Sequence, residues 1–233
     1  KQSWAGPRKA GGAYVHVLTH YELDHATPGG VPATFTGAEA ETLLAMAADI
    51  QQLRTRCDAV CVSLHKGTVH TPAMVMAYER QVAHAAIDAG AGVVFSHHAH
   101  ILRGIELYHG RPIYHGLGNF VTVTHALSPE GAGSGDWARR RLQLFGFVPD
   151  PETPEYPFHP ESRNAMLAHV SIRPGGEIEA GYRPCIINRR SQPELAPRSG
   201  AGQQVFDYVE RISHATEFDT RFAWDGELVR ALS

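Results

Sequence analysis

Two short stretches hold the residues with the clearest capacity for chemistry. Ser96-His97-His98-Ala99-His100 contains an H-x-H pair, and Ser63-Leu64-His65-Lys66-Gly67 carries a single histidine followed by a lysine. Side chains two residues apart share a face of an extended strand, and in a loop at a strand end both can turn toward one ion or two adjacent ions. Neutral imidazole is a borderline ligand suited to Zn, Mn, Fe or Ni. Any one such histidine is as readily a hydrogen-bonded loop group. What sets His65, His98 and His100 apart is that all three follow short apolar runs of the kind that form buried strands.

The elements around them explain why that matters. Residues 13–19 read as a strand, and a loop rich in Pro and Gly follows through Thr36. Thr36 and Glu39 have capping-box spacing, and Leu43, Ala47, Ile50 and Leu53 repeat with helical period, which predicts a helix over 37–55. Residues 58–64 form an apolar run that reads as a buried strand. Thr71-Pro72 starts a second helix through Asp88, closed by Gly90, and residues 92–95 form another strand. Strand, helix, strand, helix, strand is the rhythm of parallel βαβ units, in which functional groups gather at the carboxyl ends of strands. His65 falls one residue past its strand, and His97 to His100 immediately past the next.

Downstream the pattern turns to hairpins. Residues 105–108 and 112–115 flank a His109-Gly110 turn. A helix is expected over 135–145. Residues 147–162 are too proline-rich for a regular element and read as a long ordered loop or lid. A second hairpin spans 166–172 and 178–187, a helix covers 202–214, and a last strand 222–231. There is no internal repeat, and the whole reads as one α/β domain over 1–233.

Bulk composition narrows the function classes. A net charge of −3 gives no basic field for nucleic acid. No apolar run approaches the roughly 18 residues of a membrane span, and residues 1–10 lack a secretory signal layout. These features predict a soluble domain and leave its compartment, cytoplasmic or associated with the cell envelope, open. Cys57, Cys61 and Cys185 lack C-x-x-C pairing and read as buried, inert thiols. The departure from ordinary composition is the 15 histidines, several of them clustered.

The order of Ser63-Leu64-His65-Lys66-Gly67, Ala89-Gly90-Ala91-Gly92-Val93-Val94, His98-Ala99-His100 and Gly110-Arg111-Pro112-Ile113-Tyr114-His115-Gly116-Leu117-Gly118-Asn119-Phe120 resembles that of CapA-like proteins. These are bacterial poly-γ-glutamate capsule synthesis proteins, related to the calcineurin-like metallophosphoesterases. The resemblance is tight over 57–121. It implies the second half of a layered calcineurin-like fold, with βαβαβ units followed by hairpins. It implies His65 as the isolated metal-ligand histidine and His98 and His100 as the G-x-H pair, one ligand to each of two metals. Here Ser96 and His97 stand before that pair in place of glycine. Asn119 matches the G-N-F signature, where its amide supports the site or substrate or simply makes a turn. His115 stands where many relatives have serine.

The superfamily's D-x-H, G-D and G-N-H/E motifs have no counterpart here: Asp24-His25 has the wrong spacing, and Gly135-Asp136 comes too late. The remaining ligands, and the amino-terminal half of the fold, are therefore expected outside this chain. Three neutral imidazoles without a carboxylate bridge should bind metal weakly. The resemblance implies divalent ions (Mn, Zn, Fe or Ca) and a peptide or poly-γ-glutamate substrate, with hydrolysis or acyl transfer at a dinuclear site. His115 is the candidate general acid/base. Lys66, His97, Tyr156, His159, Arg163 and Asn164 are candidate substrate contacts. Two alternatives stay open: a CapA-like peptide epimerase using His115 for proton transfer, and a non-catalytic capsule-polymer assembly or binding protein.

Overall fold

The computed structural model describes residues 12–22, 33–124, 139 and 142–233, and the described residues are mixed α/β with three sheets among them. The described chain divides into two compact units: residues up to Val62 with Met76–Val94, and Ser63–Val75 with Phe95–Ser233. Most of the helix expected over 135–145 lies outside the described residues, and 142–145 are helical.

In the first unit, β1 (Val17–Glu22) pairs antiparallel with β2 (Ala33–Ala38) in a sheet of their own. This corrects the expectation that the first strand opens a parallel βαβ series. The Gly- and Pro-rich stretch read as loop ends in a strand partner, Ala-Thr-Phe-Thr, whose alternation is too short to stand out. Helix α1 (Ala40–Arg54) follows. The Thr36–Glu39 capping box is not formed, because Thr36 belongs to β2. Glu39, the N-cap residue, directs its carboxylate at His16 Nδ1, 3.3 Å away. Helix α2 (Ala77–Asp88) buries Val82, Ala83, Ala86 and Ile87, the spacing of one helical face. Its N-terminus is closed by Glu79, whose side chain accepts the Met76 N–H at 3.2 Å.

Helix α2 therefore begins six residues after Thr71, the expected start. In the second unit residues 68–74 are occupied otherwise: they wrap the guanidinium of Arg103, which donates to the carbonyls of Thr68 and Met74 and to Thr71 Oγ1. Arg103 is fully buried.

Strands β3 (Cys61–Lys66) and β4 (Val93–His98) begin in the first unit and end in the second, in a sheet of order β3-β4-β6-β5. Both run farther than their apolar cores, so His65, His97 and His98 lie inside strands rather than just past them. Strands β5 (Ile105–Tyr108) and β6 (Arg111–Tyr114) pair antiparallel around His109-Gly110, with φ of 50° and 71°, the backbone a two-residue type I′ hairpin requires. β5 is an edge strand of this sheet. Two of its N–H groups are taken by side chains, Ile105 by Ser213 Oγ and Leu107 by Thr220 Oγ1.

The third sheet, order β10-β11-β8-β7 with β9 paired to β8, is built from β7 (Asn164–Ile172), β8 (Ile178–Ile187), β9 (Pro193–Leu195), β10 (Arg221–Asp225) and β11 (Leu228–Leu232). The single last strand expected over 222–231 is thus a hairpin. Helix α3 (Gln203–Ala215) buries Val205, Tyr208, Val209 and Ile212, the i, i+3, i+4, i+7 stripe legible in sequence. Tyr114 ties β6 to the third sheet, its hydroxyl donating to the carbonyl of Gly181 at 2.7 Å.

Cys57 and Cys61 are exposed and only Cys185 is buried, which corrects the expectation for two of the three. Residues of β3 alternate in exposure, and Cys61 falls on the outward side. Among the described residues no helix is long and apolar enough to cross a membrane.

Candidate functional site

The ends of β3 and β4 bring three imidazoles together. The rings of His65 and His98 have centroids 4.6 Å apart, and those of His98 and His100 6.0 Å apart. His65 is exposed, while His98 and His100 are half-buried. The backbone there is unusual: φ is 88° at His98, 56° at His100 and 58° at His70. A side chain with a Cβ pays roughly 1–2 kcal/mol for each such left-handed residue, and strain of this kind collects at sites whose geometry serves something other than stability. His97, which is exposed, has its pKa held below the usual 6.5 by partial burial and, secondarily, by the charge of His65.

His100 is the most firmly held of the three. Its Nδ1 lies 2.8 Å from Asn119 Oδ1, and Asn119 Nδ2 donates to the carbonyl of His100 at 3.3 Å. The ring stacks on Phe158 at 5.5 Å. His70 completes this side. It is buried, its N–H donates to the Ala99 carbonyl at 2.8 Å, and its ring lies 5.9 Å from that of His100 and against Phe145 and Phe147. Sequence reasoning passed over His70, because Thr71-Pro72 was read as a helix start. The available signal was Gly67 two residues past His65, a turn that returns the chain toward the strand ends.

A second constellation crosses the sheet beside the first. His115 is fully buried, with Nε2 2.8 Å from Glu106 Oε2 and Nδ1 3.4 Å from Lys66 Nζ. Lysine can only donate, so Nδ1 accepts, and Nε2 must carry the proton given to Glu106. The result is a buried chain of carboxylate, neutral imidazole and ammonium, with the imidazole stacked on Phe218 at 4.9 Å. His115 therefore sits at the hairpin end where it was expected, but enclosed, with both nitrogens engaged. Lys66, also buried, is likewise turned inward rather than presented to a substrate.

The remaining expected substrate contacts separate by burial. Tyr156 is a correction: it is 2% exposed, and its hydroxyl reaches the carbonyls of Asn119 at 3.2 Å and Ser162 at 2.9 Å. Burial pushes its pKa up to about 12, against those hydrogen bonds. Asn164 is a correction too, buried and donating to the Glu161 carbonyl at 3.0 Å while accepting from Gln204. Arg163 is half-buried and donates to the Ile187 carbonyl at 2.8 Å. His159 Nδ1 accepts the N–H of Glu161 at 3.1 Å, capping a 3-10 turn, Pro160–Arg163. Residues 147–159 are irregular, but Phe147, Tyr156 and Phe158 anchor them in the core.

As donors, His65, His98 and His100 have the right chemistry for a borderline divalent ion. Their arrangement does not complete a centre: among the described residues no group of three or more His, Cys, Asp or Glu side chains is placed to hold a metal ion. Glu106, the carboxylate of the neighbouring constellation, is committed to His115.

A mixed α/β chain with imidazoles massed at adjacent strand ends defines a class. Residues 10–124 match the family described as bacterial capsule synthesis protein PGA_cap, and over that segment the chain is similar to CapA-like proteins. It is 37% identical over 95 residues to the PGA biosynthesis protein CapA of Bacillus subtilis (strain 168), covering 41% of this chain and 23% of that protein. It is 33% identical over 167 residues to the protein y4sH of Sinorhizobium fredii (strain NBRC 101917 / NGR234), covering 62% of this chain and 34% of that protein, and the same values hold for y4uA of that strain. The chain thus spans about a quarter to a third of the length of the curated relatives it matches.

Proposed function

We propose that the chain is part of an enzyme acting on an amide bond of a poly-γ-glutamate-type polymer or peptide, by hydrolysis or acyl transfer. In this reading His65, His98 and His100 contribute imidazole donors to a divalent-ion site whose other ligands, carboxylates above all, lie outside the described residues. The polymer class rests on the family match and on the CapA relative's name. The observation that carries the site is the 4.6 Å and 6.0 Å ring separations of the three histidines, reached at the expense of left-handed backbone at two of them. The finer fold assignment, a calcineurin-like layered fold of which this chain supplies the later part, belongs to the same proposal.

The epimerase alternative would need an acid/base facing a substrate Cα. His115, its candidate, is fully buried between Glu106 and Lys66, so nothing in its placement favours that chemistry over amide cleavage.

The test is incubation of the whole protein with poly-γ-glutamate and Mn or Zn, reading the release of new amino groups. Release that depends on added metal and is lost in both His65→Ala and His98→Ala is expected. Unchanged release in both variants would remove the cluster from catalysis, and deuterium uptake at Cα without new amines would replace cleavage with epimerisation.

A further inference from the structure

Hydrogen-bond direction around His100 specifies more than proximity. The Asn119 amide is oriented by its own partners: Nδ2 donates to the His100 carbonyl at 3.3 Å, so the atom facing the ring is Oδ1, an acceptor, at 2.8 Å from Nδ1. An acceptor facing Nδ1 requires a proton on Nδ1. In the neutral ring that leaves Nε2 with its lone pair. Asn119 is 7% exposed, so water competes poorly for either contact. The asparagine is fixed in turn from behind. Its carbonyl accepts the Tyr156 hydroxyl at 3.2 Å, and the same oxygen of Tyr156 lies 2.9 Å from the Ser162 carbonyl. Two residues with a clasp on both sides of His100 make a built device rather than a passing contact.

We propose that Asn119 is a positioning residue that holds His100 as the Nδ1–H tautomer and offers its Nε2 lone pair as a ligand atom, with Tyr156 anchoring Asn119 to the 3-10 turn Pro160–Arg163. The histidine opposite behaves the other way: His115 carries its proton on Nε2, because Lys66 donates to Nδ1. His100 and His115 are thus held in opposite tautomers, the first by Asn119 and the second by Lys66 and Glu106. Ligating histidines are commonly fixed by a hydrogen bond from the far ring nitrogen to an acceptor. The use of the lone pair for a borderline divalent cation rests on the function proposed above; the tautomer does not.

The experiment is long-range 1H–15N correlation spectroscopy on the 15N-labelled chain, metal-free, at a pH where the imidazoles are neutral. Wild type should show Nδ1–H as the dominant form of His100 and Nε2–H at His115. Asn119→Leu removes the acceptor and should reverse the His100 tautomer, while Asn119→Asp, which keeps an acceptor oxygen, should retain it. Tyr156→Phe should reduce but not abolish the preference. A wild-type His100 carrying its proton on Nε2, or a preference unmoved by Asn119→Leu, overturns the assignment; the wild-type spectrum alone decides if the leucine variant does not fold. Zinc titration of the whole protein is a separate readout. There, Asn119→Leu should weaken binding by about 10–100-fold, whereas no zinc uptake by a wild type with the Nδ1–H form would sink the proposed metal site and leave the tautomer assignment standing.

Discussion

At the scale of single residues, the histidines divide by what their surroundings ask of them. His98 occupies a φ of 88°, a region where glycine is at ease and a Cβ is not. Replacing it by glycine relieves that strain, and replacing it by alanine does not. His98→Gly is therefore expected to be more stable than His98→Ala by about 1 kcal/mol, the usual left-handed penalty, in parallel urea titrations. An alanine variant at least as stable as the glycine variant would mean that the backbone relaxes when the imidazole is removed, so that the ring itself maintains the strain. His115 is the contrasting case. It neutralises nothing itself, yet it satisfies both Glu106 and Lys66 in a buried setting. His115→Leu is expected to cost roughly 1–3 kcal/mol or more, because charged partners are left behind, visible as a lowered urea midpoint. A neutral effect would show that Lys66 and Glu106 find each other or water.

At the scale of elements, the turn Pro160–Arg163 links the irregular segment to the site through Ser162 and Tyr156, and its N-terminus is capped by an imidazole. His159 Nδ1 must be unprotonated to accept the Glu161 N–H. Burial lowers the His159 pKa from 6.5, while the Glu161 carboxylate pulls it upward. The neutral form is thus favoured on folding. Its contribution is fully present above the unfolded value of about 6.5 and fades as pH falls through that value toward the lower folded one. Melting temperature is expected to fall between pH 7.5 and 5.5, with a smaller fall in His159→Asn, whose side chain caps without titrating in this range. An identical pH profile in the two proteins would remove His159 as the source.

Elements also show what was legible in the chain. The His109-Gly110 hairpin, the buried stripe of α3 and the β7–β8 pair follow from residue type and spacing, because local rules decide them. The Thr36–Glu39 cap was misread because β2 claims Thr36, and the start of α2 because residues 68–74 are drawn around Arg103. Both are tertiary choices that no local window contains. The site was legible in part for the same reason. His65, His98 and His100 could be named from two strand ends, and the structure places them together. That His115, Tyr156 and Asn164 face inward, and that His70 belongs beside His100, depends on contacts made across distant segments.

At the scale of the molecule, a segment over residues 10–124 that matches the PGA_cap family carries the imidazole cluster proposed to receive a divalent ion, and that cluster is too sparse in ligands to bind one tightly alone. Weak binding at a defined place is the signature this predicts. The most direct measurement is Mn titration of the 15N-labelled chain, following paramagnetic broadening of the imidazole signals. His65, His98 and His100 are expected to broaden first and together, at metal concentrations well above nanomolar, and the effect should vanish in His98→Ala. Broadening that starts elsewhere, or that survives loss of His98, would contradict the account, as would nanomolar affinity in this chain, since the missing carboxylates would then already be present.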